Sequence, residues 1–276
     1  MKKFAQRFFA VSMLTLLLTQ VCYAANANEV NFSDPYMLAT VDVENLTQDQ
    51  LSTINKSIQM YSNEEYDEFL AYMVNNTDDH VALREDLALV GVEISEIKEV
   101  SVPTNNNGLI SPLTNISNAT LYMYDSTRTG SSNIRASASY QLKITESRPG
   151  SLDAVIFYYD STKASYVSHS VGANTTLKDG SKAPRGTLVF NFNDQNSRTN
   201  YSYCTVEVSR KASATGKIFF CTNWIHSYLT TSTSVTLNPS VTFGGSGAVS
   251  GSIGASINFS PVETTWQLSD IKQYNA

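Results

Sequence analysis

Histidines, cysteines and clustered carboxylates build most catalytic and metal centres, and this chain of 276 residues has only three His and three Cys. His80 follows Asp78 and Asp79 near a helix start, His169 alternates within Ser165–Val171, and His226 lies two residues after Trp224. They make no H-E-x-x-H pair, no Cys/His cluster and no Asp-x-Asp loop. Ser95-Glu96-Ile97-Lys98 matches S-x-x-K at the end of a helical segment, no G-x-S-x-G occurs, and Gly216-Lys217 lacks the flanking residues of a phosphate loop. The one catalytic option left is a Ser–His dyad on His169 or His226, which geometry alone can define. The expectation is a protein that is not an enzyme and carries no cofactor and no metal.

The cysteines and aromatics suggest structure and binding instead. Cys204 lies in Tyr201–Ser209 and Cys221 in Lys217–Leu229, two β-rich runs joined by a short link. If that link is a hairpin centred between Ala212 and Ser213, the two cysteines stand directly opposite, and a structural disulfide is expected. In the same hairpin Tyr201, Tyr203, Trp224 and Tyr228 fall on the other face, a candidate aromatic surface for stacking on sugar rings.

The first residues read as an export signal: Lys2, Lys3 and Arg7, an apolar stretch from Phe8 to Leu18, then small residues up to Ala24 and Ala27. Cleavage after Ala24 or Ala27 would release a secreted chain into the oxidising compartment that a disulfide needs, and would remove Cys22.

The charge of the rest is divided along the chain. Residues 28–102 hold 16 acidic and 3 basic side chains, a net of −13, and residues 103–276 hold 9 acidic and 13 basic, a net of +4. The total of −6 gives no basic face for nucleic acid. The acidic part, residues 28–100, carries helix punctuation. Thr47 with Gln50 and Ser62 with Glu65 match capping boxes, and Thr77 precedes Asp78 and Asp79 at a third start. Leu51, Ile54 and Ile58, then Tyr66, Phe69, Leu70 and Met73, follow at helical spacing. Residues 101–112 are rich in Pro, Asn, Gly and Ser and mark a linker, open to proteolysis if the helical part is a pro-segment.

From 113 to 276 the period is two. Ile134, Ala136, Ala138, Tyr140, Leu142 and Ile144 alternate with Arg135, Ser137, Ser139, Gln141, Lys143 and Thr145, the pattern of a half-buried strand. Further runs at Ala119–Tyr124, Leu152–Tyr159, Ser165–Val171 and Thr187–Phe192 complete an antiparallel sandwich or barrel. The fold class predicted is α+β: an acidic helical region followed by an all-β antiparallel domain.

One stretch of that domain stands apart. Val235, Leu237, Val241, Phe243, Val249, Ile253, Ile257 and Phe259 lie at odd positions, the even positions are Ser, Thr, Asn, Gly and one Ala, and no charge occurs between Lys217 and Glu263. The alternation implies a hairpin centred on Gly245 or Ser246. Over residues 230–260 its composition resembles the membrane-insertion hairpins of secreted β-pore-forming toxins, although Pro239 departs from such a strand. The resemblance implies a bacteriocin- or toxin-like protein acting on a target-cell membrane or envelope polymer, with the acidic helices covering the basic β module and the hairpin inserting or joining a homo-oligomer. The same alternation also suits a sandwich core. The alternative is therefore a secreted carbohydrate- or cell-wall-binding β-sandwich module without insertion.

Overall fold

The computed structural model describes residues 31–100, 119–142, 150, 152–194, 201–229, 236–237, 240–242, 250–252, 257–258 and 263–274. The signal segment, the 101–112 linker and most of the 230–260 hairpin lie outside the described residues.

Three α-helices open the described chain: α1 (Gln48–Met60), α2 (Asn63–Asn75) and α3 (His80–Leu89). Reciprocal capping boxes start the first two, Thr47 with Gln50 and Ser62 with Glu65. At α3 the cap is Asp79 rather than Thr77, its carboxylate accepting from Val81 N–H at 3.1 Å and Ala82 N–H at 3.0 Å. Their apolar positions (Leu51, Ile54, Ile58, Phe69, Leu70, Met73, Leu83, Leu87) close into a core of their own, to which the strands add Tyr122 and Tyr124.

Two antiparallel sheets follow. The first contains β1 (Glu93–Ile94), β2 (Lys98–Val100), β3 (Ala119–Thr127), β4 (Ile134–Leu142), β6 (Ala164–Val171) and β9 (Tyr201–Arg210), in the order β1-β3-β4-β9-β6 with β2 also on β3. The second contains β5 (Asp153–Tyr159), β7 (Thr175–Asp179), β8 (Thr187–Phe192), β10 (Ile218–Leu229) and β15 (Glu263–Tyr274), in the order β15-β10-β5-β8-β7. Chain order crosses between the sheets repeatedly, which makes a sandwich. Its interior is apolar and aromatic, with Leu121, Met123, Ala136, Tyr140 and Val206 from one sheet facing Phe157, Phe190, Phe192, Phe220 and Trp224 from the other. The α+β antiparallel class expected from periodicity is therefore present.

The crossing overturns the hairpin on which the disulfide rested. β9 pairs with β4 and β6, whereas β10 pairs with β5 and β15, so the two cysteine strands are in different sheets. Arg210 organises the link instead, donating to the carbonyls of Ala214 and Gly216 at 3.0 and 2.8 Å, with Gly216 at φ +69. Cys204 points into the space between the sheets and Cys221 to the outer side of its sheet, and both are free. Burial raises both thiols, that of Cys221 to about 12, so neither is reactive. Adding dithiothreitol is therefore expected to leave the melting temperature unchanged, and both thiols should react with Ellman's reagent only after denaturation.

Between β10 and β15 the described residues form four short strands: β11 (Thr236–Leu237), β12 (Ser240–Thr242), β13 (Ser250–Ser252) and β14 (Ile257–Asn258). β12 pairs with β13 and β11 with β14. Ile218↔Tyr274, Leu229↔Glu263 and Val241↔Gly251 are all symmetric about position 246, and Thr236↔Asn258 is displaced from that axis by one position. The β12–β13 pair thus shares the register of β10 and β15, and the β11–β14 pair does not.

Candidate functional site

The outer face of the first sheet is built by one parity of its strands. Arg135, Ser137 and Ser139 of β4 stand opposite Glu207, Thr205 and Tyr203 of β9. A register shift between Tyr166 and Ser168 in β6 brings Ser168 and Ser170 against Glu207 and Thr205. Period-two patterning marks this row as a solvent face. The structure buries it under the helices, with Arg135 at 2%, Ser137 at 1% and Ser139 at 0% exposure.

A buried ionic network holds the helices there. Asp67, on the sheet-facing side of α2, accepts from Arg135 Nε at 2.8 Å and Nη2 at 2.5 Å, a bidentate pair, and from Ser170 Oγ. Arg135 Nη1 donates to Glu207 Oε2 at 2.9 Å, and Glu207 also accepts from Ser168 and Asn133 at 2.6 and 2.8 Å. Burial pushes the Asp67 carboxyl up against the opposing pull of Arg135 and Ser170. Burial also acts to raise Glu207, but its bonds from Ser168, Asn133 and Arg135 outweigh that and hold it below the ordinary glutamate value. For Arg135 burial is overcome by the two carboxylates, which raise it further and keep it cationic. Around this centre Asn75 donates to Ser139, and Arg128 donates to Asn63 Oδ1 and the Tyr61 carbonyl while lying 5.0 Å over the Tyr66 ring.

The aromatic surface expected on one hairpin face does not form. Tyr201 and Tyr203 point toward α2, their hydroxyls donating to Glu68 Oε1 at 3.1 Å and the Glu64 carbonyl at 3.2 Å. Trp224 faces the opposite way, into the sandwich, at 0% exposure beside Tyr140 and Phe192. Tyr228 pairs with Thr264 along β10, and its side chain is outside the described ones. A stacking platform for sugars on Tyr201, Tyr203 and Trp224 is thereby removed. Of the hairpin residues, Leu237, Val241 and Ile257 have described backbone, whereas Val235, Phe243, Val249, Ile253 and Phe259 lie outside the described residues.

The histidines go separate ways. His80 bonds the Val74 carbonyl through Nε2 at 3.0 Å, and His169 Nδ1 meets Tyr166 Oη at 2.7 Å with burial lowering its basicity. Ser95 and Lys98 of the S-x-x-K match take different partners, the Asp125 backbone and Asp270. His226 is the exception. On the inner face of the second sheet its Nδ1 lies 2.9 Å from Asp153 and 3.5 Å from Asp194, and all three side chains are buried. Asp153 Oδ2 accepts from Trp224 Nε1–H at 2.7 Å, and Oδ1 from Ser227 N–H at 3.0 Å. Neither aspartate drew notice in the sequence, yet a signal was there. Asp153 and His226 each occupy the apolar parity of their strand, the row of Val155 and Phe157 and the row of Phe220 and Trp224.

No family model matches the chain. No curated protein matches it either. Among solved structures, similar ones include the sixth cohesin of Acetivibrio cellulolyticus scaffoldin B, solved with a Cel5 dockerin mutant (19% identity, 33% of this chain and 74% of that one, TM-score 0.24). Another is the C-terminal domain of the Streptococcus agalactiae AgI/II polypeptide BspA (13% identity, 47% and 45% covered, TM-score 0.25). A third is AvmM, which catalyses macrocyclization in alchivemycin A biosynthesis (10% identity, 63% and 86% covered, TM-score 0.21). Likeness at these scores carries no argument about function. The solved structures that the chain resembles include cohesins and an AgI/II polypeptide domain rather than toxin insertion hairpins, so the resemblance read from residues 230–260 is withdrawn.

Proposed function

We propose that this protein is an exported, non-catalytic binding module, whose β-sandwich takes a protein partner on the outer face of its first sheet. One observation carries the reading: that face already grips a helix. The contact has the make-up of a protein–protein interface, with Arg135, Tyr201 and Tyr203 at its centre and side-chain hydrogen bonds throughout. Beside an apolar part that includes Tyr122 and Tyr124, it carries a buried ionic and hydrogen-bonded part that the interior between the sheets lacks at its aromatic centre. The division of charge, −13 before residue 103 and +4 after it, supports the same reading, since opposite charges draw the two parts together. In this proposal the acidic helices are the resident occupant, and cleavage or displacement at 101–112 opens the face to an acidic helical segment of a partner.

Labelled intact protein and protein cut within 101–112 are added to cells of the producing organism. The expected result is saturable retention, stronger for the cut form and abolished when the cells are first shaved with protease. Retention that survives shaving, or that is no greater after the cut, would overturn the proposal.

A further inference from the structure

We propose that Asp153, Asp194 and His226 bind one divalent transition-metal ion of the zinc class. Two of the side chains come from neighbouring strands of one sheet and the third from the segment that follows the next strand. Asp153 opens β5, His226 is near the end of β10, and Asp194 follows β8 by two residues, in the lateral order β10-β5-β8. The pairs Ala154↔Ile225 and Asp153↔Phe192 set this register, and strand parity turns Asp153 and His226 toward the sandwich interior, where the Asp194 carboxylate lies 3.5 Å from His226 Nδ1.

The three side chains converge, with the His226 imidazole between the two carboxylates. Ligand atoms of the three residues all lie within 4.8 Å of one another, with His226 Nδ1 2.9 Å from Asp153 and 3.5 Å from Asp194. With bonds of about 2.0–2.2 Å to one ion, ligand atoms at octahedral to tetrahedral angles are separated by roughly 3.0–3.4 Å.

The surroundings orient the ligands as metal sites require. Trp224 Nε1–H and Ser227 N–H hold the Asp153 carboxylate from outside, the role outer hydrogen bonds play around ligating carboxylates. Exposure of the three side chains is 0%, 0% and 2%, a water-poor setting in which a divalent cation balances two carboxylates. One imidazole with two carboxylates selects zinc-type ions over calcium or magnesium, which favour shells of oxygen alone. Bound there, the ion would clamp β5, β10 and the segment after β8 at the end of the sheet from which β10 runs on toward β11.

Full-length protein, freed of any affinity tag, is loaded with zinc chloride, dialysed and assayed for metal by mass spectrometry, with melting followed with and without EDTA. The expected result is about one zinc per chain and a melting temperature that falls by several degrees on chelation. Asp194→Asn keeps the side-chain shape and should weaken zinc binding about tenfold or more, with its melting temperature no longer responding to EDTA. His226→Gln provides a second, independent variant. Wild-type protein that is folded yet retains no stoichiometric zinc, or an Asp194→Asn protein that binds as wild type, would overturn the proposal. Neither result bears on the binding face of the first sheet.

Discussion

Replacing Arg135 with Met is expected to destabilise the fold by about 3–5 kcal/mol, measured from the midpoint of urea unfolding. The loss comes less from the missing attraction than from what remains. Asp67 is 1% and Glu207 7% exposed, and without the guanidinium Asp67 keeps only Ser170 as its side-chain donor from the sheet. A buried carboxylate without its cation must be neutralised or hydrated, and either change loosens α2 from the sheet. The compensated variant makes the argument sharp. With Asp67→Leu and Glu207→Gln added to Arg135→Met, the orphaned charges disappear and much of the loss should return, because apolar replacements of a whole ionic cluster are often neutral or stabilising. If the triple variant is as unstable as the sum of its single replacements, the network holds the helices by more than charge pairing.

Trp224→Ala should cost about 3–5 kcal/mol for the cavity alone, since the side chain is fully buried against Tyr140 and Phe192. The indole also donates to Asp153, a buried acceptor whose loss of a partner adds about 1–3 kcal/mol. Trp224→Phe separates the two effects, retaining most of the ring volume while removing the donor. The same pair of variants decides between packing and ligand stacking. A ring used for ligand would be lost with little change in the unfolding midpoint, whereas a core ring takes the midpoint down with it.

Local order was legible in the sequence wherever neighbouring residues decide it. Thr47 with Gln50 and Ser62 with Glu65 cap their helices within four residues, and the alternation of Ile134 to Leu142 assigns every side chain of β4 to a face. What periodicity omits is the layer lying over each face. Arg135, Ser137 and Ser139 carry the composition of a wetted surface, and only the fold places α2 above them. Strand partnership was hidden for a related reason. Two β-rich runs seven residues apart pair as a hairpin or separate into two sheets with the same alternation, and the partners that take them apart, β4 and β6 for one and β5 and β15 for the other, lie far away in sequence. β7 and β15 escaped notice because polar residues alternate in both without a clean apolar row. At the buried Asp153 and His226 the informative sign was a charged or titratable residue at an apolar position, a local violation that points to a partner.

The shared register of β10, β15 and the β12–β13 pair sets how the chain can change length. Because the twelve β10–β15 pairs and the β12–β13 pairs are mirrored about position 246, residues lost or gained in equal number on both sides of it leave the β10–β15 pairs in place. A single residue removed from one arm has the opposite outcome. It turns the remainder of that arm over, exchanging its two faces. The displaced pair Thr236↔Asn258 shows that the two arms differ in register by one position between the sandwich and β12–β13. The twelve pairs of β10 and β15 thus keep their alignment under any change that is balanced about that axis.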